Sequence, residues 1–434
     1  MTTATHLVPG HPVVVRTVVL PDDVAEMSLL SMLPKSSSVM TWVHDAPNAD
    51  TGLIGWGESA RCEVSGRERF SRAQRWWVDW LADADVEDAV RLPGSGPIAF
   101  ASFAFDPNPG SSVVIVPATI IGRRNGVTWI TVTAENSRDV RRMIDETITS
   151  LRQPSSVPAA PQDLAYSDGS QSISAWRHAV TESVRRIDDG ELDKVVLARD
   201  VVATSKTAID SRYVLRQLAS RYPTCWTFSV DGLIGATPEM LVRRVGDTVT
   251  SRVLAGTVRR SADATSDASL AESLLDSAKD HAEHAYAVQS VAHALSAHCT
   301  DLDVPASPRL LRLANVQHLV TDVTGVLADG AAVLGLAASL HPTAAVCGTP
   351  TERALGLIRE LEGMDRGRYA GPVGWMDARG DGEFGIALRC AKIENDHQLR
   401  LFAGCGLVSG STADAELAES AAKLVPMRDA LETP

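Results

Sequence analysis

Apolar and polar positions change their period along this chain, and the changes predict its elements. Before residue 150 the runs HPVVVRTVVL, SSVMTWV, GPIAFASFAF, SVVIVPATII and GVTWITVT are β-branched or aromatic, with Gly, Pro and Asn turns between them. Short runs of that kind predict antiparallel strands. The period then becomes helical: Ile173, Trp176, Val180, Val184 and Ile187 recur at steps of 3, 4, 4 and 3, behind Ser172 or Ser174 as N-cap and ahead of Gly190 as stop. That spacing predicts an amphipathic helix against a core. In KVVLARDVVAT the alternation sets Lys194, Val196 and Ala198 on one strand face and Val195, Leu197 and Arg199 on the other.

Further strands are expected at CWTFSVDG, LIGAT, EMLVRRVG and TVTSRVL. One long Ala-rich helix is expected over residues 269–298, and another from near Thr349 through ERALGLIRELEG. The end returns to strands in AGPVGWMDA, GEFGIALRCAKI and QLRLFAGCGLV, and closes on the helix DAELAESAAKLVPMRDAL. Strands in groups, helices in groups and hairpin turns between strands indicate an α+β fold rather than a regular βαβ repeat. The Pro-, Ser- and Ala-rich stretch from Gln153 to Gln171 suits a surface linker between a β-rich part, 1–165, and a second part, 166–434.

Composition narrows the partners. The 434 residues are 44% hydrophobic and 22% charged, ordinary for a globular chain able to bury a large core. A net charge of −13 without a basic stretch argues against nucleic acid or an anionic membrane surface. The start lacks a basic n-region and no apolar run reaches ~18 residues, so a soluble, cytoplasmic protein is expected. Cys62, Cys225, Cys299, Cys347, Cys390 and Cys405 have no CxxC spacing, which favours buried, reduced thiols. Trp76, Trp77 and Trp80 stand at helical spacing and read as core.

The candidate chemistry lies in Lys194, in LDKVVLARD, and Glu239, in IGATPEMLVRR. One is a base when neutral and the other an acid when protonated. A lysine at its ordinary ~10.4 is no base at neutral pH, so desolvation would have to lower the amine while raising the carboxyl. Asp280 with Glu283, and Glu416 with Glu419, are spaced i, i+3, which puts each pair on one helix face where a hard cation could sit. Each feature has a plainer reading. Lys194 could end a strand in solvent, Glu239 could be a turn carboxylate after Pro238, and Glu419 with Lys423 could be a solvated i, i+4 pair. His281 and His284 in HAEH are at i, i+3 and not in an HExxH, which weighs against zinc. Cys405 between two glycines reads as a small packing residue in a tight Gly turn, since no His partner is assignable.

From Ser172 to the C-terminus the chain resembles the chorismate-utilising enzymes, the family of isochorismate, anthranilate, aminodeoxychorismate and salicylate synthases. The motifs, in order, are KVVLAR, GATPE, LAGT, KDHAEH, NVQHLVTDV, LHPTAAVCGTP, RGRYAGPVGW, FGIALRCA, AGCGLVSGS and ELAESAAKL. The resemblance implies a layered sandwich of antiparallel sheet and helix, in which Lys194 activates water for attack on ring carbon C2 and Glu239 protonates the departing C4 hydroxyl. It implies a Mg²⁺ ion held by Glu283 and Glu419, with Asp280 and Glu416 as direct or water-mediated partners. It places Arg389, Tyr369 and the backbone amides of Gly404 to Leu407, Gly406 among them, on a substrate carboxylate. His318 and Lys423 would line the same site.

The LAGT motif, Leu254 to Thr257, is the selecting position. The resemblance implies a nucleophilic lysine there in aminodeoxychorismate synthases, whereas this chain has Ala255 followed by Gly256 and Thr257. Alanine cannot attack carbon, and no glutaminase domain is visible to supply ammonia, so no glutaminase subunit is expected. The stretch around His341 is closer to the isochorismate branch. The expected reaction is therefore chorismate to isochorismate by water addition, in a monomer serving siderophore or menaquinone synthesis. The alternatives are a salicylate synthase, which adds pyruvate elimination, and a catalytically silent chorismate-binding protein.

Overall fold

In the computed structural model, residues 3–5, 13–36, 38–46, 49–108, 110–153, 156–313 and 316–432 are described. They form two large sheets, of 11 and 13 strands, with helices packed against both. Neighbouring strands are antiparallel throughout, except that Val13–Val19 runs parallel to Ala84–Asp88. The α+β class expected from the pattern, and the layered sandwich of antiparallel sheet and helix that the resemblance implies, are the observed architecture.

Both sheets draw strands from either side of the Gln153 to Gln171 stretch. In the smaller sheet Ile98–Ser102 pairs with Pro372–Asp377; in the larger, Val39–Ala46 pairs with Trp226–Val230. The two halves of the chain are interleaved, and part of the expected linker is itself a strand, Ala165–Asp168, on the edge of Lys194–Thr204. A single buried cluster takes Trp42 and Phe228 from one sheet and Phe100, Trp375 and Phe384 from the other. Strands covered on both faces lose polar alternation, which is why Ile98–Ser102 is buried at every position while Ala60–Ser65 alternates. A second cluster joins the larger sheet to the helices Ser137–Leu151, Ser211–Arg221 and the end of Ala413–Glu432.

A buried carboxylate staples the sheets. Glu383 Oε2 accepts the Trp42 indole N–H at 2.8 Å, and Oε1 lies 2.9 Å from Arg124 and 3.2 Å from Arg243. Burial alone would push this carboxyl up, but the two guanidiniums and the indole hold it below the usual range. The carboxylate is thus paired, so its charge does not penalise the core as a lone one would.

Three expected elements are subdivided. The run SVVIVPATII is two strands, Ser111–Val116 and Thr119–Arg124, because Pro117 has no N–H for the ladder. GEFGIALRCAKI is Gly382–Ile386 and Cys390–Asn395, which belong to different sheets. The Ala-rich helix over 269–298 is two helices, Ala264–Asp276 and Ala278–Ser296. Ser277 between them is extended, and its Oγ accepts the Asp280 N–H at 3.2 Å. A Ser-x-x-Asp start signal inside the run outweighs its helical composition. Trp76, Trp77 and Trp80 lie buried on the helix Arg69–Ala82, and all six cysteines are buried and free.

The chain crosses between sheets twice at one place. Leu233–Thr237 in the larger sheet leads through Pro238 and Glu239 into Met240–Val245 in the smaller; Gly382–Ile386 in the smaller leads through residues 387–389 back to Cys390–Asn395 in the larger. The crossings are stitched together by Ile386 N–H to Glu239 O at 3.1 Å, Thr237 Oγ1 to Ile386 O at 2.6 Å and Ala236 N–H to Arg389 O at 3.2 Å. Close approach demands glycine: a Cβ on Gly235 would stand 2.5 Å from Cys390 Cβ and 2.8 Å from Arg389 O. We expect Gly235→Ala to lower the melting temperature by several degrees. Gly335→Ala, mid-helix with its nearest neighbour at 4.0 Å, should leave it unchanged or raise it slightly. Thermal denaturation of the two variants checks this; equal behaviour would show that the crossing does not constrain the fold.

Candidate active site

The double crossing opens into one cavity of about 300 Å³. Its wall includes Lys194, Glu239, Ala255, Gly256, Thr257, Asp280, His318, Tyr369, Arg389, Gly404, Gly406, Glu416, Glu419 and Lys423. These residues come from distant parts of the sequence, and the structure brings them together. The side chain of Glu283, on the helix Ala278–Ser296, lies outside the described residues.

Lys194 begins the strand Lys194–Thr204, which is held on one side by Gly348–Thr349 and on the other by Gln398–Leu407. The expected alternation holds: Lys194 and Val196 face the cavity, while Val195 and Leu197 are buried in core. Glu239 is 7% exposed at the crossing. Burial raises its carboxyl to about 7, against the opposing pull of Lys194, Arg389 and Lys423, so it holds a proton through much of the neutral range.

Anion-binding groups line the same wall. Arg389 sits at φ +48° where the chain turns between sheets, a left-handed conformation that a non-glycine residue adopts at a cost of ~1 kcal/mol or more. Burial depresses its guanidinium from the ordinary value and pushes the Tyr369 phenol up. The Tyr369 ring stacks on Phe402 at 5.0 Å, and a Cβ on Gly404 would stand 3.1 Å from its hydroxyl. His318 Nδ1 is 2.9 Å from Thr257 Oγ1, while its buried Nε2 has no hydrogen-bond partner among the described residues. Burial, with Arg389 and Lys423 nearby, lowers this imidazole to about 3 and keeps it neutral.

One expectation is corrected here. Gly404 to Leu407 is not a tight turn but the end of the strand Gln398–Leu407, with Cys405 opposite Leu197 and Gly404 opposite Ala198. Successive amides of a strand point in opposite directions, so these four cannot converge on one anion. Alternate groups remain available, consistent with Gly404 and Gly406 lining the cavity.

The acidic residues are carried by two helix starts. Asp280 lies in the first turn of Ala278–Ser296, and Gly256, at φ +76° in a bulge of Thr248–Arg259, lets the strand approach it closely. Glu416 and Glu419 lie on Ala413–Glu432, with ligand atoms of Glu416, Glu419 and Cys405 within 4.8 Å of one another. The Cys405 thiol, pushed up to about 12 by burial, donates to the Glu416 carbonyl at 3.2 Å. It is therefore a packing thiol, and the ligands left are carboxylate oxygens. Such a set fits a hard divalent cation that keeps positions for water and a ligand oxygen. His281 Nε2 is 2.7 Å from Leu275 O, and His284 Nε2 is 2.8 Å from Thr321 Oγ1, so both rings serve as internal ties.

Glu419 and Lys423 do not form a solvated helix face, as the plainer reading would have it. Both line the cavity, 2.6 Å apart, and Lys423 Nζ also donates to Gly404 O at 2.9 Å. Three structural residues carried too weak a signal in sequence. Arg366 donates to Val196 O at 2.7 Å and Val346 O at 2.9 Å, and pairs with buried Glu362, whose Oε2 accepts the Ala198 N–H at 2.8 Å. This fixes the strand of Lys194 to the opposite wall. Arg199 reaches Ser420 Oγ at 2.8 Å and ties that strand to the acidic helix.

Comparison with known proteins agrees with this geometry. The family model described as chorismate-binding enzyme matches residues 6–432, and so takes in nearly all of the β-rich first part. The salicylate biosynthesis isochorismate synthase of Pseudomonas aeruginosa is 36% identical over 88% of this chain and 83% of its own length. The isochorismate synthase MenF of Bacillus subtilis is 31% identical over 89% of this chain and 86% of its own. Among solved structures, the 2,3-dihydroxybenzoate-specific isochorismate synthase DhbC of Bacillus anthracis, so described as putative in its name, superposes with a TM-score of 0.76. It is 31% identical, over 94% of this chain and 99% of that one. The menaquinone-specific isochorismate synthase MenF of Escherichia coli gives a TM-score of 0.80 at 25% identity, over 97% and 95% of the two chains. The chain belongs to the chorismate-binding enzyme family.

Proposed function

We propose that the protein is an isochorismate synthase, an isomerase that converts chorismate to isochorismate with Mg²⁺. The observation that carries this reading is the pairing, in one cavity, of a lysine and a glutamic acid that burial keeps protonated near neutrality, with no lysine at Ala255. Relatives named for salicylate, menaquinone and vibriobactin synthesis share the isochorismate synthase name, so the reading rests on the step they have in common.

Lys194, in its neutral form, takes a proton from water as the oxygen bonds to C2. The ring's conjugated double bonds shift one place toward C4, and the C4 hydroxyl leaves with the proton of Glu239 as water. Proton transfer back from Lys194 to Glu239 closes the cycle, with no redox change. Arg389 and Tyr369 orient a carboxylate of the dianionic substrate, which offsets the acidity of the chain as a whole. Glu416 and Glu419, with Asp280 and Glu283, would hold the Mg²⁺, which when bound neutralises charge and polarises a substrate carboxylate. Ala255, Gly256 and Thr257 leave room for water where a lysine would fill it. No described helix is long and apolar enough to cross a membrane. We further propose that it works as a monomer without a glutaminase subunit.

Incubation with chorismate and Mg²⁺ followed by chromatography tests the reading: isochorismate is expected, whereas salicylate with pyruvate would identify a salicylate synthase. Lys194→Ala and Glu239→Gln should each lower kcat by about 10²–10⁴-fold with the fold intact, the range for losing a general acid or base. Near-normal turnover in either would reject the role. Glu416→Gln should raise the Mg²⁺ concentration for half-maximal rate at least tenfold, and an unchanged metal titration would contradict the assignment.

Glu239 also links pH to stability. Its folded value, about 7, lies above the unfolded 4.5, so the folded state binds the proton more tightly and loses stability as pH rises between the two. The loss should level off above pH 7 at ~3 kcal/mol. Glu239→Gln should therefore melt increasingly above the native chain from pH 5 to pH 8. A constant difference across that range would show that the carboxyl is not perturbed.

A further inference from the structure

We propose that Lys423 is a resident counter-cation that occupies Glu419 until substrate arrives, and so couples substrate binding to metal binding. This rests on the magnesium reading above and deepens it. Three observations carry it. Lys423 Nζ lies 2.6 Å from Glu419 Oε1, so in this state the ammonium takes up an oxygen assigned to the metal. The same Nζ donates to Gly404 O at 2.9 Å, so the ammonium is clamped between the acidic helix and the strand Gln398–Leu407. Both side chains line the cavity, Lys423 21% and Glu419 40% exposed, so water screens the ammonium less than it would on an open helix face.

The physical consequence is competition. A divalent cation binding at Glu416 and Glu419 must draw Glu419 from Lys423 and lie close to its positive charge. At about 5 Å in a wet cavity that repulsion is worth roughly tenfold in affinity. A substrate carboxylate in the same cavity offers the ammonium another partner and releases Glu419 to the metal. Linkage then requires the reciprocal effect: each ligand tightens the other by the same factor. Lys423 thus prevents tight metal binding in the empty cavity and favours it once the dianion is present.

Calorimetric titration with Mg²⁺, without substrate, tests this. Lys423→Met should bind Mg²⁺ about tenfold tighter than the native chain, whereas Lys423→Arg, which keeps the charge, should stay within about twofold. Chorismate added to the Glu239→Gln chain, in which turnover is expected to be slow, should tighten Mg²⁺, and adding Lys423→Met to that background should shrink the effect. Equal or weaker Mg²⁺ binding by Lys423→Met, with Lys423→Arg normal, would overturn the counter-cation role. It would leave Lys423 as a clamp between helix and strand. Absence of Mg²⁺ binding by the native chain, even with chorismate present, would instead overturn the magnesium reading itself. Should Lys423→Met not fold, Lys423→Gln carries the same expectation.

Discussion

The structure depends on burying a carboxyl where the chain passes from one sheet to the other. Glu239 is poorly solvated, because the crossing leaves it only 7% exposed and the returning strand packs against its backbone. Cations that could stabilise its charge, Lys194, Arg389 and Lys423, stand across the cavity, and desolvation outweighs them. The carboxyl is thereby held near the neutral range, where an acid can both give and regain a proton. Much of the fold serves that one position. The Glu383 staple fixes the two sheets, small residues at the crossing let them touch, and the Glu362–Arg366 pair fixes the lysine strand.

The remaining charges fall into two groups with separate tasks. Arg389, Tyr369 and the neutral His318 form a wall suited to a rigid, anionic ring. Glu416, Glu419 and Asp280 form another suited to a cation. Lys423 is in direct contact with Glu419 of the second wall. An acidic protein can bind a dianion only if its positive charge is local, and here it is concentrated in one small cavity.

The site was legible in sequence to the extent that it is local. Lys194 reads from a strand alternation, the carboxylate pairs from helix spacing, and their joint meaning from ten ordered motifs. What sequence could not reveal is non-local or conformational. Nothing in IAFAS or PVGWMD says that they pair across 270 residues of chain, because pairing partners are set by packing and not by either segment. The left-handed Arg389 leaves no mark in its own identity, since glycine would be the expected residue there. Ser277 carries a helix start signal that the Ala-rich run around it masks in sequence. Gly404 to Leu407 suggested a turn because glycines usually mark one, yet here they keep a strand slim beside Tyr369.

The most direct test of the account is the titration of Glu239 itself, followed by carbon-13 NMR of its carboxyl and assigned by difference with Glu239→Gln. A midpoint near 7 is expected, moving higher in Lys194→Met because a stabilising positive charge is removed. A midpoint in the ordinary range near 4.5, indifferent to Lys194, would mean that the crossing does not create an acid and that the two residues do not share a site.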